Sequence, residues 1–321
     1  MMNLTLSKKC FLFFPMYVTL IDAAIDFKIP THPKIFTDGT PYFGYLMLIM
    51  AIMWGVHAIF SIYKIESLIH YYSKVKFYTV LMIFLGFICY LTDKTMLLPK
   101  IYFPSINNVL ASAIFEREIL FKCTLYSIRL LFLGILFGGS AGILTGILIG
   151  WNKTLNYWFF PIIRFVGPMP TAIWISIALL VFPTLFSTSV FIVALTMWFP
   201  VTIQTSSGIQ NVSKGYYDVA DTLGASTTYQ IFRIAIPAAM PQIFVGIFTG
   251  VTTSFISLML AELMGSKYGI GWYINWKQQI MAYANVWVAL FILASLCYTT
   301  ICLLFSLRRK FLSWQEALIR W

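Results

Sequence analysis

The sequence GYYDVADTLGASTTYQIFRIAIP, residues 215–237, decides how the chain is organised. It carries acidic, basic and hydroxyl side chains, yet it lies between long apolar segments of a protein that is 60% hydrophobic. Because glycine ends helices and proline interrupts them, Gly224 and Pro237 predict two short helices in a polar loop. We expect Asp218 in the first turn of the first helix, Ser226–Ile234 in the second helix, and Pro237 at its end.

The composition is that of a polytopic membrane protein. Only 10% of the 321 residues are charged, whereas soluble domains carry roughly 25%. The net charge is +11, but Lys and Arg lie mostly between or beyond the apolar segments. There they set the topology and meet lipid head groups, so the charge does not indicate nucleic-acid binding.

Apolar segments of about 20 residues predict membrane spans, and the expected fold is an all-α transmembrane bundle. An additional segment, Cys10–Ala24, is short and contains Asp22. If this segment is counted, the chain has eight spans and both termini lie in the cytoplasm. The cytoplasmic segments then carry the larger share of Lys and Arg, including Arg164. The clear segments are Phe43–Tyr63, Phe77–Leu91, Leu125–Gly150, Pro168–Phe186, Ser189–Thr205, Ile243–Gly265 and Val286–Leu307.

In the segment Leu125–Gly150, glycine recurs every four residues, which places the glycines along one stripe of a helix. Membrane helices gain little from burying apolar area against each other, so close backbone contact through small residues drives their packing. The stripe predicts a helix buried at the centre of a bundle. A seam along which two helices slide during transport is the alternative. The residues are Gly134, Gly138, Gly142, Gly146 and Gly150.

Few polar side chains within the apolar segments are candidates for a functional site. An acid in the membrane is a candidate by default, but the position of Glu262 near a helix end favours hydrogen bonds to the Gly269–Gly271 loop. Arg129 is interpreted as reaching the head groups or as structurally paired, rather than as balancing an anion. A translocation path is predicted along Met169, Trp174, Trp198, Met259 and Glu262, provided that their helix faces point inward.

Catalysis by this chain is not indicated. The sequence contains no Gly-x-x-x-x-Gly-Lys-Ser/Thr phosphate loop, its three His residues are scattered, and its five Cys have no metal-ligand spacing. We therefore expect no metal and no cofactor in this chain. An ion-gradient-driven secondary transporter is the alternative, and it would need acids or broken helices near the middle of the membrane.

The loop resembles the EAA loop of bacterial ABC importer permeases. That loop reads Glu-Ala-Ala, three residues, Gly, nine residues, Ile, one residue, Leu-Pro, and every spacing recurs here. The departures are Asp for Glu, Val for Ala and Ile for Leu, all conservative. The matching residues are Asp218, Val219, Ala220, Gly224, Ile234, Ile236 and Pro237.

Three further segments, Val166–Pro183, Trp198–Ser226 and Leu260–Ile274, resemble the branch of that family that transports nitrate, taurine and aliphatic sulfonates. The resemblance covers about Thr92 to Trp321. It implies a six-helix permease at residues 76–321 with a cytoplasmic docking loop at 206–240. Residues 1–75 are then an extension with one or two transmembrane helices.

The resemblance implies the permease subunit of a binding-protein-dependent ABC importer in the bacterial inner membrane. Two copies would form the path for a small solute such as nitrate, a sulfonate or taurine. A periplasmic or lipid-anchored binding protein would deliver the solute, and a cytoplasmic ATPase would bind the ATP and Mg that this chain does not bind. The implied ATPase-docking residues are Asp218, Val219, Ala220, Leu223, Gly224, Ala225, Ile234 and Pro237.

Overall fold

A computed structural model describes residues 12–29, 40–63, 65–95, 98–99, 101–167, 169–264 and 266–312, and these residues contain helices and loops but no strand. The chain forms two compact units. Unit 1 comprises Met1–Arg117 and Lys277–Val288, and unit 2 comprises Glu118–Trp276 and Ala289–Trp321. The predicted boundary between extension and permease at 75/76 follows family resemblance, not contacts, and it stays a prediction.

Unit 1 contains four helices ahead of the long helices of unit 2. They are α1 (Phe14–Lys28), α2 (Tyr42–Tyr63), α3 (Ile65–Cys89) and α4 (Ile106–Phe115), and α3 continues into a π-helical turn, Tyr90–Lys94. Ser105 caps α4 because its side chain accepts a hydrogen bond from the Asn108 N–H.

A buried ionic cluster joins these helices. Lys94 Nζ lies 3.3 Å from an Asp26 oxygen and 3.5 Å from an Asp93 oxygen. The Asn107 amide donates to both carboxylates, and its oxygen accepts from the Phe43 N–H at 2.7 Å. Asp26 also accepts from the Gly44 N–H at 2.9 Å. The cluster therefore caps the start of α2 with acceptors from α1 and α4, and no spacing in the sequence predicted it.

We predict that Lys94→Met destabilises the protein strongly, because it leaves the Asp26 and Asp93 carboxylates buried without their cation. Removing one partner of a buried pair costs about 3–5 kcal/mol, whereas Lys76→Met changes an exposed side chain on α3. Thermal unfolding of the purified variants measures the difference. Equal midpoints for the two variants would contradict a structural role for Lys94.

Unit 2 is a bundle of long helices with short ones between them. Its elements are α5 (Arg117–Trp151), α6 (Lys153–Val166), α7 (Thr171–Val181), α8 (Leu185–Gln210), α9 (Lys214–Thr222), α10 (Thr227–Gln230), a π-helical turn (Ile231–Ala235), α11 (Ile236–Leu263), α12 (Ile270–Gln279) and α13 (Tyr283–Phe311). Residues of α12 and α13 from Lys277 to Val288 belong to unit 1.

Six helices in the described part of the chain are long and apolar enough to cross a membrane. Two of the eight predicted spans are not among them. The α1 helix has 15 residues and α7 has 11, about 22 Å and 16 Å at 1.5 Å per residue, against a hydrocarbon core of about 30 Å. Residues 10 and 11 of the predicted first span lie outside the described residues. The six spans are Tyr42–Phe60, Lys74–Lys94, Arg117–Trp151, Leu185–Gln210, Thr227–Leu263 and Tyr283–Phe311.

The glycine stripe of α5 lies against α8. Gly134 faces Val193, Gly142 faces Val201 and Gly150 faces Ile209. The partner numbers rise together, so α5 and α8 run in the same direction. Gly138 and Gly146, which complete the stripe, face Ala194 and Thr205.

A neighbouring face of α8 meets glycines of α11. Gly250 faces Met197 and Gly246 faces Val201, whereas Gly208 of α8 faces Ala239. The partner numbers run in opposite senses, so α8 and α11 are antiparallel. Helices α5 and α11 therefore both approach α8 closely, mostly at glycines.

The parallel packing of α5 and α8 requires the chain between Trp151 and Leu185 to return across the membrane. Gly167, at the end of α6, lies beside Phe199, near the middle of α8. Helix α7 then continues to the start of α8, where Ile175 packs near Ile192. The return is thus a crossing made of two short helices that meet at mid-depth.

This broken crossing corrects one sequence prediction. A single span at Pro168–Phe186 is wrong, because α7 covers only Thr171–Val181 and ends before Pro183. Pro168 itself lies outside the described residues. Arg164, which the charge count places in the cytoplasm, lies in α6 one turn before the break, and its side of the membrane stays a prediction.

Pro237 does not end a helix, which corrects another prediction. Residues Thr227–Leu263 form one helical rod of 37 residues, with the π-helical turn at Ile231–Ala235 and Pro237 in the first turn of α11. Proline has no backbone N–H, and this is tolerated in the first turn of a helix, where an N–H would have no acceptor in the helix. The wider π-helical turn just before Pro237 also shifts the hydrogen-bond pattern.

We predict that Gly142→Ala lowers the free energy of unfolding by about 1–3 kcal/mol, the usual cost of overpacking. A Cβ there would lie 2.8 Å from the Val201 Cβ and 3.1 Å from the Trp198 carbonyl oxygen. Gly139→Ala is the matched control, because its Cβ would meet only the flexible Met197 Cε at 3.4 Å. If thermal unfolding finds both variants as stable as the wild type, the α5–α8 contact is looser than described.

Candidate functional site

The loop between α8 and α11 contains α9 and α10, and glycine separates them as predicted. Gly224 has a φ of +72°. The Gly224 N–H donates to the Asp221 carbonyl, and the Ala225 N–H donates to the Ala220 carbonyl at 2.9 Å. This is the Schellman arrangement that glycine favours after a helix end. One expectation is wrong: α9 begins at Lys214, so Asp218 lies in its second turn and does not cap its start.

Helix α9 presents an apolar face that nothing in the described structure covers. Tyr216, Val219 and Leu223 lie at helical spacing on this face, and Leu223 is 81% exposed. The neighbouring face is anchored: Ala220 is buried, and the Tyr217 ring packs against Trp151 with centroids 5.6 Å apart. Burial raises the pKa of the Tyr217 hydroxyl. Val219 and Leu223 are among the docking residues that the family resemblance implies, whereas Tyr216 is not.

The two loop helices are tied to each other and to the membrane rod. The Gln230 amide donates to the Asp221 carboxylate at 2.6 Å and to the Ala225 carbonyl at 3.3 Å. Ile234 and Pro237 line a cavity of about 660 Å³ beside α9. Of the predicted docking residues, Asp218, Val219, Leu223 and Gly224 are exposed, while Ala220 points inward.

The loop lies at the positively charged end of unit 2. Lys153 follows α5 at the end that lies beside Ile209, and Lys214 opens α9. The basic run Arg308–Lys310 ends α13, where Phe311 packs near Phe244 in the first part of α11. Because cytoplasmic segments carry the excess of Lys and Arg, this end faces the cytoplasm.

A second cavity, of about 530 Å³, opens at the break between α6 and α7. Met169 and Trp174, which the sequence assigned to a translocation path, both line it. Trp198 lies elsewhere, since its Nε1 donates to the Thr145 hydroxyl at 3.0 Å. The Met259 carbonyl lies beside Gly271. The five predicted path residues therefore do not form one surface within unit 2.

Glu262 is completely buried and belongs to a hydrogen-bonded junction. One carboxylate oxygen accepts from the Ser127 hydroxyl at 2.5 Å, and the other accepts from the Gly271 N–H at 2.7 Å. Ser127 in turn accepts from the Ile270 N–H. Gly269, with a φ of +136°, passes so close to the carboxylate that a Cβ would collide with it. The junction joins α5, α11 and the start of α12.

We predict that Ser127→Ala destabilises the protein by about 1–3 kcal/mol, the cost of leaving buried polar groups unsatisfied. The variant removes a donor from Glu262 and an acceptor from Ile270. Ser140→Ala, on the same helix, is the control, because its exposed hydroxyl bonds only to carbonyls of its own helix. Thermal unfolding of both variants tests the junction, and a destabilised Ser140→Ala with a normal Ser127→Ala would refute it.

One group of side chains in unit 1 has the spacing of metal ligands. Atoms of Asp26, Cys89 and Asp93 lie within 4.8 Å of one another. Lys94 Nζ already lies between the two carboxylates and balances their charge. The cluster is therefore explained by its own cation, and we assign no metal to it.

These features define a class: a multi-pass helical membrane protein whose polar loop exposes an apolar helix face on its cytoplasmic side. Residues 139–313, more than half of the chain, match the family of the binding-protein-dependent transport system inner membrane component. The chain belongs to this family and is a permease of the type I ABC importer group. It is a multi-pass protein of the cytoplasmic membrane.

Similar proteins agree with this assignment. The chain is 30% identical over 185 residues to the putative aliphatic sulfonates transport permease protein SsuC of Bacillus subtilis, covering 58% of this chain and 67% of SsuC. It is 30% identical over 203 residues to the bicarbonate transport system permease protein CmpB of Synechococcus elongatus, 63% of this chain and 69% of CmpB. The nitrate import permease protein NrtB of that organism is 30% identical over 150 residues, 47% of this chain and 54% of NrtB.

Family membership decides between the two classes of transporter left open by the sequence. The broken crossing is a feature that the secondary-transporter alternative required, but the match to binding-protein-dependent systems overrides it. The same membership implies an ATPase and a solute-binding protein as partners. Permease subunits of such importers are generally non-catalytic.

Proposed function

We propose that two copies of this chain form the membrane path of an importer, and that each copy binds a cytoplasmic ATPase through α9, Gly224 and α10. The observation that carries the proposal is the uncovered face of Tyr216, Val219 and Leu223. These side chains lie in a loop outside the membrane rods, where lipid does not cover them. Exposed apolar residues that cluster in this way mark protein-binding surfaces.

The geometry of the loop suits transmission of force. Tyr217 and Ala220 anchor α9 to the bundle, and Gln230 ties α9 to α10. Helix α10 continues through the π-helical turn into α11, so a pull on the loop acts directly on a transmembrane helix. ATP and Mg are held by the partner, and closure of two ATPases moves the two permease copies between inward-open and outward-open states.

The solute is a small anion in this proposal. SsuC, CmpB and NrtB are named for sulfonates, bicarbonate and nitrate, and these share a compact oxygen-bearing charged group. A periplasmic or lipid-anchored binding protein delivers the solute to the outer face. Taurine carries the same sulfonate group, but its protonated amine makes it a zwitterion rather than a net anion.

Charge placed on the docking face tests the proposal. We predict that Leu223→Asp and Gly224→Asp abolish co-purification of the ATPase and solute uptake, because an unpaired charge desolvated at an interface costs several kcal/mol. The space around Gly224 is open within 4 Å, and Asp tolerates a positive φ better than most residues. The fold of the permease should therefore survive both changes.

Thr222→Asp is the matched control, since it adds the same charge one residue away, about 100° round the helix from Leu223. It should keep the ATPase. An ATPase that stays bound to Leu223→Asp and Gly224→Asp, with uptake at the normal rate, would refute the docking assignment.

A further inference from the structure

The cavity at the break between α6 and α7 contains hydrogen-bond donors but no carboxylate among the described residues that line it. Arg164 is the charged residue of this lining. Its guanidinium lies over the Phe160 ring, 5.3 Å from the centroid, and it forms no ion pair with the described part of the chain. One face of the cation is covered by the ring, and its N–H groups remain available.

Arg164 is exposed although it lies beside the middle of a membrane-spanning helix. It lies one turn before Gly167, which contacts Phe199 near the middle of α8. A charged side chain at this depth is costly against lipid, and such residues almost always face a bundle interior or a water-filled cavity. The cavity of about 530 Å³ provides that environment, and its size is in the range of small-molecule sites.

A second donor in the same lining lacks a partner. The Trp174 Nε1–H is buried and has no acceptor among the described residues. Helix α7 also begins at this wall, with Thr171 as its first residue, so the positive end of its dipole lies there. A buried N–H without an acceptor is rare in native proteins, and it needs an explanation.

We propose that this cavity binds a small oxyanion, with the Arg164 guanidinium as its counter-charge and the Trp174 N–H as a further donor. The inference rests on the proposed function, because it places the transported solute inside unit 2 at the broken crossing. The ring contact and the donor arrangement favour a compact, planar or tetrahedral anion. Phosphate of a lipid head group has the same chemistry, but mid-membrane depth favours a free anion.

Protection of Arg164 from chemical modification tests binding directly. The permease in complex with its ATPase, purified in lipid-free detergent, is treated with phenylglyoxal, and modification of each arginine is measured by peptide mass spectrometry. We expect nitrate and methanesulfonate to slow the modification of Arg164 several-fold relative to urea, a neutral molecule of similar shape to nitrate. Arg129 is the internal control, because it also lies over an aromatic ring, Phe186, but does not line the cavity.

Three outcomes of this assay would overturn the proposal. Arg164 could react at the same rate in nitrate and urea, Arg129 could be slowed equally, or the reagent could fail to reach Arg164, which contradicts an open cavity. Protection by added anionic lipid but not by nitrate would identify a head-group site instead. Trp174→Phe keeps the ring and removes the donor, so it should weaken the protection by nitrate.

Uptake provides the second test. Arg164→Gln should reduce the uptake of the transported anion about tenfold or more, since it removes a charge-assisted contact, and Arg164→Lys should restore part of it. Arg129→Gln should transport normally. Normal uptake by Arg164→Gln refutes the inference while leaving the proposed function intact. A wild-type chain that fails to retain the ATPase refutes the proposed function, whereas protection of Arg164 can still be scored on the permease alone.

Discussion

The close approach of α5 and α11 to two adjoining faces of α8 is the constraint on which unit 2 depends. Met197 and Val201 each contact glycines of both neighbours, so these positions leave no room for added atoms. In a bilayer, an apolar side chain is no more stable against another helix than against lipid. Close packing of this kind therefore replaces the hydrophobic effect in holding the helices together. Tight contacts of this kind move as a body, which suits a transporter whose helices shift together.

The direction of these contacts determines the remaining architecture. Parallel α5 and α8 need a return crossing, and α6 and α7 supply it in two pieces that leave a cavity at their junction. Antiparallel α8 and α11 place their connection at the cytoplasmic end, where α9 exposes its apolar face. The loop that contains α9 and the cavity at the break therefore both follow from one helix arrangement, and α11 borders both.

Local patterns in the sequence predicted the features that depend on local chemistry. The four-residue spacing of Gly134–Gly150 required a close neighbour, and Gly224 required a left-handed turn, because both follow from the lack of a side chain. Features that depend on distant residues were missed. Lys94, Asp26 and Asn107 lie far apart in the sequence and form their buried cluster only in the folded chain, so no local pattern reveals it. Apolar length alone could not show that Pro168–Phe186 holds half of a crossing, since hydropathy does not record where a helix breaks.

Cysteine labelling that shows on which side of the membrane three helix ends lie is the most direct test of the parallel arrangement of α5 and α8. Single cysteines at Asn152, Thr184 and Thr222, in a chain whose own cysteines are replaced, can be labelled with a membrane-impermeant maleimide from either face. The account predicts that Asn152 and Thr222 are labelled from the cytoplasm and Thr184 from the opposite side, because α6 and α7 together cross the bilayer. Labelling of Thr184 from the same side as Asn152 would contradict the parallel arrangement of α5 and α8 and everything derived from it.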